Sequence, residues 1–343
     1  MGGKDGAVRV AITGGSGFLG RALIERLTAD GADRIVTLTR DEQRRAQLQA
    51  EWGWHPGFRV YAGDVREGGS RLADIFHGCE AVIHGAARKV VSGHPDEPDE
   101  MLATNIEGTK NVVEAARDAG CQKLVFVSSD KAVYPINTYG KSKAFAEELV
   151  TAANARTLRS GLRCGAVRYG NVLGSTGSVI VKWRAQLAAG KPLTVSHGAM
   201  TRFWITRGQA VDLVLAALAN LRGGEIVVPY LPAASIETLA RAVGGDAVRL
   251  APVDDVPTEP NGIRQGGEKI HEELLNDAEV RRAHRINGDG RIVIPPFQHA
   301  EMWDDRPWMG TPLPPETVYR SDVWQWQLSV AEMRGLLESG CPA

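Results

Sequence analysis

The ten residues Ala11–Gly20, AITGGSGFLG, constrain the fold more than any other stretch. They close the apolar run VRVAIT (8–13) with a glycine-rich turn and open directly into a helical pattern. Gly14, Gly17 and Gly20 form one Gly-x-x-Gly-x-x-Gly series, and Gly15, Gly17 and Gly20 also fit the looser dinucleotide fingerprint. Such a turn brings backbone close to a pyrophosphate and aims the free N–H groups of a helix N-terminus at the anion. A strand, this turn and a helix in that order predict a dinucleotide site in which Thr13, Ser16, Phe18 and Leu19 accompany the glycines. A P-loop is excluded, because Arg21-Ala22 stands where Lys and Ser/Thr are required.

The rest of the first half repeats the alternation. RIVTLT (34–39), FRVYA (58–62), AVIHG (81–85), KLVFVSS (123–129) and RCGAVR (163–168) read as strands. Asn105–Ala119 and Tyr139–Ala155 carry apolar residues at helical spacing between them. Near-continuous apolar strands alternating with helices predict a Rossmann-type, doubly wound parallel α/β sheet covered on both faces. Ligands in such sheets sit beyond the carboxyl ends of the strands. We place a dinucleotide-binding domain at 1–170 and a smaller α/β substrate-binding region at 171–343. Part of 200–225, including a helix near Arg207–Leu221, is expected to pack back on the first domain, and a last helix to start at the N-cap Ser329.

Bulk properties narrow the function. Lys plus Arg is 40 against 41 acids, so no basic field argues for nucleic acid. No apolar run approaches the ~20 residues of a membrane span, and the start has no long apolar core of a signal peptide. Cys79, Cys121, Cys164 and Cys341 are widely spaced, which reads as reduced thiols in a cytoplasmic protein. HEELL at His271 is no zinc motif, because Leu275 stands where the second His would be, and no metal is expected.

The ends of the strands carry the chemistry. Thr39 and Arg40 end the second strand, with Arg44 and Arg45 one turn on; a hydroxyl and guanidinium suit a ribose 2′-phosphate, hence NADP, while the neighbouring Asp41 keeps NAD open. Asp64-Val65 follows the third strand, where a carboxylate can receive the adenine amino group. Tyr139 and Lys143 lie at i and i+4 of a helix, on one face, where an ammonium favours a phenolate base. Ser129, at the end of the preceding strand, can donate to the same substrate oxygen.

With the glycine turn, this set resembles the extended short-chain dehydrogenase/reductase family, as do VIHGAA (82–87), which carries Ala86, and Asn105 in TNIEGT. SSDKAVYPINTYGKSK, RYGNVLGSTGSV (168–179), MTRFWIT (200–206), IRQGGEKIHEEL (263–274) and the closing YRSD…LSVAEMRGLL are similar to the soluble, inverting UDP-N-acetylglucosamine 4,6-dehydratases. The likeness spans essentially the whole chain. It implies that Tyr139 takes the C4 hydroxyl proton during oxidation, that Lys131 removes the C5 proton, and that Asp130 protonates the departing C6 oxygen. Lys143 completes the catalytic set. A C4 ketone makes the C5 hydrogen acidic; hydride then returns to C6, and C5 is reprotonated from the other face. Both groups must work near neutrality, so a lowered Lys131 pKa and a raised Asp130 pKa are expected. Tyr139, where membrane-attached retaining relatives commonly have Met, points to the inverting branch.

The same resemblance assigns Lys89, Asn171, Ser178, Lys182, Thr201, Arg202, Arg264 and Glu268 to a UDP-sugar, with Arg202 and Arg264 at the diphosphate and Lys89 also near the cofactor. It further implies a homo-oligomer, dimer or hexamer. Two departures bear on the sugar: Tyr134 replaces an Asn beside the catalytic pair, and Arg88 enters Ala-Arg-Lys where Ala-Leu-Lys is usual. A nucleotide-sugar 4- or 5-epimerase, which needs Tyr139 without the Asp130–Lys131 elimination, is the alternative; an NADP-bound sensor without turnover is a third reading.

Overall fold

A computed structural model describes residues 8–89, 96–157, 160–175, 177–195, 197–245, 248–252, 267–286, 288, 290–297 and 310–340. Six parallel strands form the centre: β1 (Arg9–Thr13), β2 (Arg34–Thr39), β3 (Phe58–Ala62), β4 (Ala81–His84), β5 (Lys123–Val127) and β6 (Arg163–Val167). Their order, β3-β2-β1-β4-β5-β6, reverses direction between β1 and β4, which opens a crevice at their carboxyl ends. Val10, Ala11 and Ile12 of β1 are all buried, as a strand covered on both faces requires.

The sheet does not stop at residue 170. Ile226–Val228 pairs parallel to β6, and Ile292–Ile294, His284–Arg285 and Thr311–Pro312 continue it antiparallel to give ten strands. The 1–170/171–343 division therefore cuts the sequence but not the sheet. The helix Arg207–Asn220 starts with a capping box between Thr206 and Gln209. It lies against the helix Phe18–Ala29, with ion pairs Arg207–Glu25 (3.1 Å) and Arg26–Asp212 (2.8 Å). A second, smaller core around Trp183, Leu193, Trp204, Leu239 and Met333 joins the helices Val179–Ala188, Ile236–Gly244 and Val330–Gly340. The last of these is capped by Ser329, whose hydroxyl accepts the Glu332 N–H while the Glu332 carboxylate accepts the Ser329 N–H.

Two helices position the site. One runs from Glu97 to Asp118 and widens to a π-helix over Leu102–Glu107, which turns Asn105 into the protein. Buried Asn105 accepts the Arg88 N–H (2.7 Å) and donates to the Arg88 carbonyl (2.9 Å) and Ser142 Oγ (2.8 Å). The other, Thr138–Thr157, presents Ser142, Lys143, Ala146, Glu147 and Val150 as its buried face. Asn137 Oδ1 accepts the Gly140 N–H (2.7 Å) at its start, and a Cβ on Gly140 would stand 2.4 Å from the Lys131 carbonyl.

Candidate active site

A continuous cleft of about 1530 Å³ lies beyond the sheet's carboxyl edge, from Gly14 to Glu272. Its first end is made of backbone. Gly14 has φ +76°, and a Cβ there would meet the Gly85 carbonyl carbon at 2.7 Å; one on Gly20 would meet the Gly14 oxygen at 2.3 Å. Gly17 is the N-cap of the helix Phe18–Ala29 and offers no side chain to its first N–H groups. That leaves a helix N-terminus open to an anion, the cradle a dinucleotide pyrophosphate needs. Ser16, Phe18, Leu19, Arg40 and Arg44 line this end.

Asp41 does not. Its carboxylate caps the next helix by accepting the Arg44 N–H (3.0 Å). Asp64 is likewise engaged, accepting from Arg40 Nη1 (3.2 Å), Arg66 Nε (2.9 Å) and the Arg66 N–H (3.0 Å). Burial pushes the Asp64 carboxyl up, but these guanidinium and amide contacts prevail and hold it below the usual range. The Thr13 hydroxyl is also used internally: it meets His84 Nδ1 at 2.6 Å and accepts the Ala86 N–H at 3.2 Å. Fully buried His84 contacts Thr109 Oγ1 at 2.9 Å through its other nitrogen, and burial followed by the Lys143 charge lowers its pKa to about 3. A neutral histidine thus ties β1 to β4 behind the cofactor turn.

The other end is made of charge. Asp130 is fully buried on the 3₁₀ turn Asp130–Ala132, and its Oδ1 accepts from Ser129 Oγ (2.9 Å) and Lys131 Nζ (3.0 Å). Lys131 Nζ also lies 3.5 Å from Glu272 Oε1. Burial, countered in part by Lys131, raises the Asp130 pKa, as expected for an acid at neutral pH. Lys131 differs from expectation: burial would lower its pKa, but Asp130 and Glu272 together drive it above the ordinary lysine value. Tyr139 is raised too, by burial first and by Asp130, with Lys131 opposing. Lys143 is the group that burial depresses, to about 7; its Nζ donates to the Val127 carbonyl (2.6 Å) and sits 3.9 Å over the Phe126 ring.

Among the described residues, the cleft wall includes Ser129, Lys131, Tyr139, Lys143, Lys89, Asn171, Arg202 and Glu268. Buried Asn171 Oδ1 has no hydrogen-bond partner, as suits a group aimed at a ligand. Arg202 is spent partly on structure, with Nη1 donating to the Thr201 (2.8 Å) and Ile270 (3.0 Å) carbonyls. Thr39, Asp64, Val65, Ala86, Ser178, Lys182 and Thr201 are not in the wall. Lys182 is exposed, and Thr201 Oγ1 bonds His271 (2.8 Å) and Ser321 (2.7 Å). Arg264 lies outside the described residues. Sequence reasoning missed Glu272, Lys269, Tyr169 and His84. Glu272 stands in HEELL, read as no zinc site, and in the family-like IRQGGEKIHEEL, but neither reading gives that acid a role.

The segment from Gly267 to Asp277 straps the loop that follows the turn Asp130–Ala132. Asn137 Nδ2 donates to the Gly267 carbonyl (2.6 Å), Lys269 Nζ to the Val133 carbonyl, and the Asp277 N–H to Tyr134 Oη (3.2 Å). Tyr134 has φ +43°, the only non-glycine residue in the left-handed region among those described. The family's usual Asn tolerates that conformation better than Tyr.

A nicotinamide-dinucleotide fold joined to a Ser–Tyr–Lys set defines an extended short-chain dehydrogenase/reductase. The family model described as polysaccharide biosynthesis protein matches residues 10–292, and the chain belongs to that family. It is 37% identical over 295 residues to a UDP-glucose 4-epimerase of Rickettsia rickettsii, covering 82% of this chain and 83% of the relative. It is 35% identical over 269 residues to the inverting UDP-N-acetylglucosamine 4,6-dehydratase of Campylobacter jejuni, covering 78% and 77%. Among solved structures, Pen from Bacillus thuringiensis superposes with TM-score 0.84 at 29% identity over 97% of both chains. The dTDP-glucose 4,6-dehydratase DesIV from Streptomyces venezuelae, solved with NAD bound, gives TM-score 0.63 at 25% identity over 76% of this chain and 86% of its own. The chain is thus an enzyme of the nucleotide-sugar dehydratase and epimerase class, with a nicotinamide dinucleotide as cofactor.

Proposed function

We propose that this protein is an NADP-dependent inverting 4,6-dehydratase of UDP-N-acetylglucosamine or a close nucleotide hexosamine. The observation that carries this reading is the buried Asp130 carboxylate 3.0 Å from Lys131 Nζ, beside Tyr139 in the cofactor cleft. A 4-epimerase needs one base at C4; elimination across C5 and C6 needs a second base and an acid. Gly14, Gly17 and the N-terminus of the helix Phe18–Ala29 would hold a nicotinamide dinucleotide, which would supply reversible hydride transfer.

The chain's own residues do the proton work. Tyr139 takes the C4 hydroxyl proton, Lys131 in its amine form takes the C5 proton, and protonated Asp130 donates to the leaving C6 oxygen. Burial and the Glu272 charge raise the Asp130 pKa against the opposing Lys131 charge, which favours the acid form this donation needs. Asn171 and Lys89 face the nucleotide sugar from the wall. Arg40 and Arg44 in the wall, with Asp41 committed to a helix cap, favour a 2′-phosphate over a bare hydroxyl. A cytoplasmic homo-oligomer is the setting we infer for this enzyme.

Incubation with UDP-N-acetylglucosamine and mass spectrometry tests the reaction: a product lighter by one water, without net cofactor reduction, is expected. An unchanged mass with UDP-N-acetylgalactosamine formed contradicts it. Arg40→Ala tests the cofactor: NADP affinity should fall by about tenfold or more and NAD affinity stay within a few-fold. Equal losses for both contradict the NADP assignment.

A further inference from the structure

Glu272 is a buried carboxylate, 2% exposed, on a segment far in sequence from the catalytic turn. Its Oε1 lies 3.5 Å from Lys131 Nζ and 3.9 Å from Arg202 Nε; its Oε2 lies 3.7 Å from Lys269 Nζ yet makes no hydrogen bond. The backbone holds it there, since the Glu272 N–H donates to Ser321 Oγ (2.9 Å) and the Ser321 N–H to the Glu272 carbonyl (2.9 Å). Lys131 thus stands between two buried carboxylates, one of which, Asp130, is its partner in elimination.

We propose that Glu272 is a positioning residue that sets the basicity of the Lys131–Asp130 pair, keeping one proton shared between them at neutral pH. The inference rests on the dehydratase reading. The proton balance follows from the geometry. Transfer of one proton from Lys131 Nζ to Asp130 Oδ1, across 3.0 Å, turns ammonium and carboxylate into amine and acid. The amine takes the C5 proton and its electron pair forms the C5–C6 double bond. The C6–O bond breaks, the oxygen takes the Asp130 proton, and water leaves. The pair ends as ammonium and carboxylate, so elimination needs no proton from solvent. A fixed negative charge beside Lys131 makes it a stronger base toward a weakly acidic carbon and discourages loss of the shared proton. Burial would raise the Glu272 carboxyl, but Lys131, Arg202 and Lys269 hold it below the usual range, so it stays anionic.

The groups that face this centre are Tyr139 on the helix Thr138–Thr157, Tyr169 after β6, Arg202 on the strand Thr201–Ile205, and Glu268 and Lys269 on the segment of Glu272 itself. In Glu272→Gln both limbs of the dehydration pH profile should move to lower pH by about one unit or more, because Lys131 and Asp130 each lose a neighbouring negative charge. Glu272→Asp, which keeps the charge, should restore much of the wild-type profile.

The decisive experiment is a ¹³Cε-lysine NMR titration of the full-length protein without sugar, the Lys131 resonance being identified by its loss in Lys131→Met. The Lys131 midpoint should fall by about one unit or more in Glu272→Gln. A midpoint within a few tenths of wild type, or a profile that loses amplitude without moving, overturns the proposal. If Glu272→Gln does not fold, Glu272→Ala is read in the same way, with a midpoint fall of about one unit or more expected and none contradicting. A wild type that dehydrates no nucleotide sugar defeats the dehydratase reading, whereas the lysine titration still decides the role of Glu272.

Discussion

The two ends of the cleft are built from different materials. The dinucleotide end is built from backbone: Gly14 and Gly20, which leave no room for a Cβ, and a bare helix N-terminus, with a neutral His84 bracing the strands behind them. At the sugar end, Asp130, Lys131, Glu272, Arg202 and Lys269 converge from three distant chain segments and are held by mutual charge. Backbone geometry can be shared by many reactions; buried charge is specific to one. The difference teaches that the reaction is decided at the second end, and substitutions should separate the two.

The largest effect is expected at the charged end. Lys131→Ala should reduce dehydration by about 10³-fold while leaving dinucleotide binding near wild type. If nucleotide-sugar turnover survives within a few-fold, the pair is not the elimination machinery and a 4-epimerase fits better. Lys143→Met probes the join between the two ends. Lys143 has a folded pKa near 7, below its ordinary 10.5, so its buried charge weakens the fold most at pH values below about 7 and the cost fades as pH rises toward 10.5. Urea unfolding of nucleotide-free protein should show Lys143→Met more stable than wild type by ~4 kcal/mol near pH 6, with that advantage shrinking by about pH 10. An advantage independent of pH contradicts a depressed Lys143.

At the backbone end, Gly14→Ala should cost about 3 kcal/mol, because φ +76° is strained for Ala and the new methyl runs into Gly85. Gly17→Ala, whose Cβ finds its nearest neighbour at 3.2 Å, should cost under about 1 kcal/mol and act mainly on dinucleotide affinity. Similar losses from both would mean that the turn is not divided into a packing glycine and a ligand-facing glycine. The smallest effect is at Tyr134. Tyr134→Asn relieves a left-handed side chain but loses the hydroxyl that accepts the Asp277 N–H, so a net gain of about 0.5 kcal/mol is expected in thermal unfolding. A loss above ~1 kcal/mol would show that this contact outweighs the strain.

The contrast also explains what was legible in the chain. Strand order and the glycine turn follow from apolar alternation and from residues adjacent in sequence, so β1 to β6 lie within a residue or so of their expected places. The clustering of Ser129, Asp130, Lys131, Tyr139 and Lys143, to which we assign the proposed chemistry, was legible for the same reason, since they fall within fifteen residues. Glu272 was not, because nothing local marks an acid whose partner is over a hundred residues away. The Lys131 shift runs opposite to expectation because the charges of Asp130 and Glu272 together outweigh burial. Thr13 lines the cleft as expected, with its hydroxyl shared with His84, whereas Asp64 lies outside the wall and its carboxylate is claimed by Arg66 and Arg40.

The central claim is that Lys131 removes a proton from C5 while hydride passes within the sugar from C4 to C6. Conversion of UDP-N-acetylglucosamine in deuterium oxide, followed by NMR of the product, tests it most directly. The account predicts a 4-keto sugar with deuterium at C5, inverted configuration there, and a C6 methyl carrying the hydrogen that began on C4. A product that keeps its C6 hydroxyl and its original C5 hydrogen would contradict it.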